Sequence, residues 1–123
     1  MKFLRCEKCG KIVAMVNDMD NCPTICCGEA MVEIVPNTSD GAHEKHVPVI
    51  KVNGNHVVVE VGEVAHPMLD VHYIEWIALQ TDKGNQRKEL KPGDAPRAEF
   101  ALLEGEKVVA AFAYCNLHSL FKA

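Results

Sequence analysis

The chain has 123 residues, with 13 Lys and Arg against 17 Asp and Glu, for a formal net charge of −4. That length suits one ordinary domain, or one small domain beside a very small one. The acidic balance leaves no basic footprint for nucleic acid, and no apolar run approaches the roughly 20 residues that a membrane helix needs.

The start, "MKFLRCEKCG", carries Arg5 and Cys6 where an export signal needs an apolar stretch. A cytoplasmic location is therefore expected. Residues 1–36 hold five of the six cysteines and two short apolar pieces, "KIVAMV" and "MVEIV". A segment so small buries too little surface to fold without a staple, and a metal is the expected staple. Pro36 and "NTSDGA" read as a linker into a second unit, residues 37–123.

That unit has a β pattern. "VPVIKV" and "HVVVEV" flank "NGN", and Asn-Gly between β-branched runs is the strongest short hairpin signal. "VHYIEWIAL" predicts a further strand before the turn-like "TDKGNQ". "LKPGDAPRAEF" reads as a loop entering a strand, and "AEFALLEGEKVVAAFAYC" as two strands around Glu104-Gly105, although alanine would favour helix in its second half. Short strands with regular turn signals predict an antiparallel sandwich.

Two groups of residues carry metal chemistry. "CEKCG" and "CCGEAM" bring Cys6, Cys9, Cys26 and Cys27, a set that suits tetrahedral zinc or a mononuclear iron. In a reducing compartment such cysteines bind metal more often than they form disulfides. Neighbouring cysteines strain the angles at one ion, which favours a distorted iron–thiolate site. Cys22 is a fifth thiol, either a bystander or a competitor for the place of Cys26. The second group is scattered: His46 in "EKHVP", His66 in "AHPM", His72 in "VHYIEW", and Cys115 with His118 in "YCNLH". All lie at strand ends or in loops, where functional groups concentrate. Blue copper would use two histidines, a cysteine and a weak axial methionine, but no methionine follows Met68.

The segments "EKHVPVI", "HPM", "IEWI", "LKPGDAP" and "YCNLH", in this order after "CxxCG…CCGEAM", resemble desulfoferrodoxin, the two-iron class of superoxide reductase. The resemblance spans essentially the whole chain. It implies an all-β protein with a small desulforedoxin-like N-terminal domain (1–36) and an immunoglobulin-like antiparallel sandwich (37–123). It implies Fe(Cys)₄ at Cys6, Cys9, Cys26 and Cys27, where zinc can substitute, and a second iron held by His46, His66, His72 and His118 in the plane and Cys115 on the axis. It assigns superoxide attraction to Lys45, and to Glu44 the closing of the sixth position in the oxidised state. It further implies superoxide as substrate, a rubredoxin-like electron donor and a homodimer. His43 and Cys22 stay outside both ligand sets, and His56 is expected as an exposed strand residue. The rival readings are an electron-transfer protein without substrate chemistry, a zinc-stabilised binding domain and a superoxide dismutase.

Overall fold

A computed structural model describes all 123 residues. The chain divides into two compact units, Met1–Val35 and Pro36–Ala123. No helix is long and apolar enough to cross a membrane.

The first unit is built from very short strands. β1 (Phe3–Arg5) pairs antiparallel with β2 (Ile12–Ala14) on one side and with β5 (Val32–Glu33) on the other. Phe3, Leu4, Cys6 and Ile34 are its buried residues. β3 (Ile25–Cys26) and β4 (Glu29–Ala30) form a separate hairpin. Its two loop residues, Cys27 and Gly28, both have left-handed backbone, with φ of 52° and 76°. This is the pattern of a type I′ turn, whose twist matches the flanking strands.

The second unit is the expected antiparallel sandwich. A single helical turn, α1 (His43–His46), leads into β6 (Pro48–Asn53). The hairpin continues into β7 (His56–Val61) with Asn53 opposite His56, so Gly54 and Asn55 form the loop. Gly54 has φ +60°, and only the first loop residue is left-handed, as in a type II′ turn. β8 (Ile74–Thr81), β9 (Asn85–Glu89), β10 (Arg97–Ala101), β11 (Val108–Cys115) and β12 (Ser119–Lys122) complete seven strands. One sheet has the order β10-β7-β6 and the other β12-β11-β8-β9. β10 and β11 do not pair with each other, because the Glu104-Gly105 connection crosses from one sheet to the other.

The core lies between the sheets. Val57, Val59 and Val61 alternate inward from β7, Ala98 and Phe100 from β10, and Ile77 and Leu79 from β8. On β11 the same period of two turns Ala111, Ala113 and Cys115 to the interior. Cys115 is thus the last inward residue of a core strand, fully buried at its end.

The pairing register then decides where the loops meet. Pro48 lies opposite Val61, Ile74 opposite Cys115, and Cys115 opposite Ser119. The start of β6, the end of β7, the start of β8, the end of β11 and the start of β12 therefore share one end of the sandwich. α1, the 62–73 segment and the 116–118 loop all lie at that end.

Candidate metal centres

In the first unit the Sγ atoms of Cys6, Cys9, Cys26 and Cys27 all lie within 4.8 Å of one another. Cys9 Sγ is 3.6 Å from Cys26 Sγ, and Cys26 Sγ is 4.0 Å from Cys27 Sγ. With metal–sulfur bonds of about 2.3 Å, a tetrahedron has edges of about 3.8 Å. The spacing fits a single tetrahedral ion. In a continuing strand Cys26 and Cys27 would point to opposite faces. The left-handed backbone at Cys27 bends the chain so that both sulfurs reach the same point.

The six cysteines are all free thiols. Backbone N–H groups, chiefly that of Cys9, draw the Cys6 thiol down to about 6, whereas the adjoining Cys6 and Cys9 sulfurs push Cys26 up to about 12. The cluster favours a thiolate at Cys6 and resists further ones at Cys26 and Cys27 unless a cation joins them. Cys22 is exposed and outside this set.

In the second unit His46, His66, His72 and Cys115 offer ligand atoms within 4.8 Å of one another. His118 joins them through Nδ1, which is 3.1 Å from His46 Nε2 and 3.8 Å from Cys115 Sγ. The four rings run around a square. Neighbouring centroids are 4.5 Å apart for His46–His66, 4.7 Å for His66–His72, 5.2 Å for His72–His118 and 4.8 Å for His46–His118. His46 and His72 face each other across the diagonal at 6.2 Å.

The proton positions show why this square needs a cation. His46 Nδ1–H donates to Ala42 O at 2.7 Å, and His66 Nδ1–H donates to Pro67 O at 2.6 Å. A carbonyl can only accept, so each neutral ring presents a bare lone pair at Nε2. These two Nε2 atoms stand 3.1 Å apart. His72 Nε2 is buried and has no hydrogen-bond partner. Inward lone pairs that face one another and an orphaned nitrogen are what a metal would satisfy.

Burial favours the neutral form of His46, His66 and His72. Burial pulls His66 down to about 4 and lowers His46, and it lowers His72 with help from His118 and the Lys45 ammonium. Burial raises the Cys115 thiol, while the backbone N–H groups of Leu117 and His118 act in the opposite direction.

The remaining candidates are placed as follows. Lys45 is exposed on α1, close enough to act on His72. Glu44 is exposed too. Its backbone carbonyl accepts from Val64 N–H at 2.9 Å, and it lines a pocket with His43, Val47 and Glu63. The His43 ring lies edge-on to Phe121 at 6.1 Å. His56 begins β7, exposed, and pairs with Glu99 at 2.9 Å.

Several supporting residues escape a reading of the sequence. Phe121 packs 4.7 Å from the His46 ring. Gly41 has no room for a side chain, since a Cβ there would lie 2.9 Å from His118 Cβ. Gly62 is equally confined, because its Cβ would lie 2.7 Å from Glu44 O. The tight "SDGA" and "VGEVAH" segments carry no motif that signals this.

Residues 38–123 match the desulfoferrodoxin family. The desulfoferrodoxin of Nitratidesulfovibrio vulgaris is 50% identical over 122 residues, covering 99% of this chain and 94% of that protein. The chain belongs to the desulfoferrodoxin family. A desulfoferrodoxin homolog of Archaeoglobus fulgidus is 46% identical over 123 residues, covering 100% of this chain and 96% of the relative. Among solved structures, the superoxide reductase from Treponema pallidum superposes with a TM-score of 0.82 at 38% identity, covering 98% of each chain. The two donor sets, four thiols in one unit and four imidazoles with a thiol in the other, match the iron centres of the desulfoferrodoxin family, and iron is the cofactor they fit.

Proposed function

We propose that this chain is a superoxide reductase. One electron and two protons convert superoxide to hydrogen peroxide, with a rubredoxin-like protein returning the electron. The observation that carries the reading is the square of inward imidazole nitrogens beside the buried Cys115 sulfur. His46, His66, His72, His118 and Cys115 would hold the second iron. Cys6, Cys9, Cys26 and Cys27 would hold the first. Ferrous iron held in the second site would supply the electron that reduces superoxide.

The protein's own part is to hold and attract. Neutral imidazoles keep the donor set low in charge and suited to a divalent ion. The Cys115 thiolate brings negative charge from the buried side. Its hydrogen bonds from the Leu117 and His118 amides hold the sulfur in one orientation. Lys45 would draw superoxide to an otherwise acidic molecule and stabilise charge on the departing peroxide. Glu44, its neighbour on α1, would offer its carboxylate to the oxidised iron. Its carboxylate forms no ion pair that would have to break first.

Six free thiols are consistent with a cytoplasmic setting. The family resemblance is the ground for proposing a homodimer. Light scattering on the intact protein tests that assembly. Pulse radiolysis of the reduced protein tests the reaction. Stoichiometric peroxide without dioxygen, and one ferrous centre oxidised per superoxide, is the expected result. Dioxygen release would indicate a dismutase instead. An unreactive second iron that also fails to bind azide would leave an electron-transfer protein.

A further inference from the structure

The regular ladder between β8 and β11 breaks at its metal end. Tyr114 pairs with Trp76, but the next residue, Cys115, pairs with Ile74, so the register shifts there. Beyond this break lies Tyr73 and then His72, in a segment that belongs to no long strand. His72 forms an isolated bridge with Leu69, with Leu69 N–H to His72 O at 2.9 Å and His72 N–H to Leu69 O at 3.1 Å. That bridge closes the turn on itself. It does not fix the turn relative to Cys115 or His118.

The link comes from Asn116. Its backbone N–H donates to Tyr73 O at 3.2 Å. Its side-chain Oδ1 accepts from Tyr73 N–H at 2.9 Å, and its Nδ2 donates to Val71 O at 3.0 Å. In an extended chain alternate residues turn their peptide groups to opposite edges. The His72 peptide groups accordingly face Leu69, and those of Val71 and Tyr73 face Asn116. The carboxamide supplies one donor and one acceptor in the places that a neighbouring strand's peptide would fill. His72 is thereby held on both edges of its backbone.

We infer that Asn116 is the positioning residue that sets His72 against the other four donors: its carboxamide continues the interrupted β8–β11 ladder by one step and ties the His72 segment to the loop between Cys115 and His118. This rests on the proposed ligand set. Asn116 touches neither substrate nor metal. It acts through the backbone on either side of His72, whose Nε2 is buried and otherwise unpartnered.

The experiment uses the intact iron-loaded protein and compares Asn116→Ala, Asn116→Asp and a control, Asp82→Ala. Asp82 also bonds a backbone amide, that of Lys107, but beyond the opposite end of β8. Three readouts are needed: the thiolate-to-ferric band of the second centre, iron loss from each centre to a competing chelator, and amide hydrogen exchange at Tyr73. For Asn116→Ala the expected results are a shifted second-centre band, roughly 10–100-fold weaker iron retention there, and faster exchange at Tyr73. The first centre's spectrum and iron retention should not change. Asn116→Asp keeps the acceptor for Tyr73 N–H but sets a carboxylate oxygen against Val71 O, so Tyr73 stays protected while the band still shifts. Asp82→Ala should lower the melting temperature and leave the band in place. If Asn116→Ala does not fold, Asn116→Asp alone decides. A band and iron retention equal to wild type in the Asn116 variants would overturn the assignment. A band shift equal to that of Asp82→Ala would also overturn it. Failure of the ligand set itself would appear differently, as no thiolate band in the wild-type protein.

Discussion

His46 Nε2 stands 3.1 Å from His66 Nε2, although each ring already donates its Nδ1 proton to a backbone carbonyl. Two lone pairs therefore point at each other inside the protein, an arrangement that costs free energy until a cation sits near them. The same pair also governs how the metal-free protein responds to acid.

Burial holds His66 at about 4 in the folded chain and lowers His46 and His72 as well. Unfolded histidine titrates near 6.5. Below that value the unfolded chain binds more protons than the folded one, so stability falls as pH falls. The stabilisation is fully present above about pH 6.5 and is lost progressively toward pH 4. Urea titration of metal-free protein at pH 7.5 and pH 5 should show a lower midpoint at pH 5. An unchanged or higher midpoint there would contradict the burial of neutral rings.

Replacing Cys115 with serine removes the only sulfur of the second donor set. The thiolate-to-ferric band that this centre develops on oxidation should be absent from the variant, with the Cys₄ spectrum intact. Visible spectra before and after oxidation, with metal analysis, provide the check. A surviving second-centre band would place its sulfur elsewhere in the chain.

Lys45→Ile should leave both metals bound and slow the encounter with superoxide by about tenfold at low salt, within the range for electrostatic steering. Adding salt screens the ammonium. The wild-type rate should therefore fall with ionic strength and converge on that of the variant. Stopped-flow rates that match at every salt concentration would remove Lys45 from the reaction.

Gly62→Ala places a methyl group 2.7 Å from Glu44 O and 2.9 Å from the Lys45 carbonyl carbon. Both are backbone atoms, so α1 must shift. The expected cost is about 1–3 kcal/mol, measurable by chemical denaturation. Because α1 carries Lys45 and His46, the second centre's spectrum should shift too. A variant as stable as wild type would mean that α1 yields without strain.

Much of the fold was legible because its signals are local. The Val-rich runs about Asn53-Gly54 gave the β6–β7 hairpin, and the Pro/Gly loop before Arg97 gave the entry into β10. β9 was not expected, since Asn85–Glu89 is wholly polar and takes strand form only through pairing with β8. The alanines of β11 allowed helix on propensity alone. Pairing with β8 and β12, and inward burial of Ala111 and Ala113, decide for strand. α1 is one turn without a side-chain cap, too short for periodicity to detect. "VHYIEWIAL" suggested a strand from Val71, but β8 starts at Ile74 because residues 69–72 close a turn first.

At the metal sites the donors were legible and their scaffolding was not. Cysteine and histidine declare themselves by type. The requirements at Gly41, Gly62 and Asn116 exist only once distant segments meet. The left-handed residue at Cys27 is an intermediate case: adjacent cysteines signalled strain, and the turn type shows how it is accommodated.

All four thiols of the first set fall within Met1–Val35, and all five donors of the second lie within Pro36–Ala123. A single break at the Val35–Pro36 junction would part the two redox inventories without dividing either. Descendants of such a gene can shed or acquire one centre by truncation or fusion at one place, whereas sites interwoven through shared segments would have to be lost together.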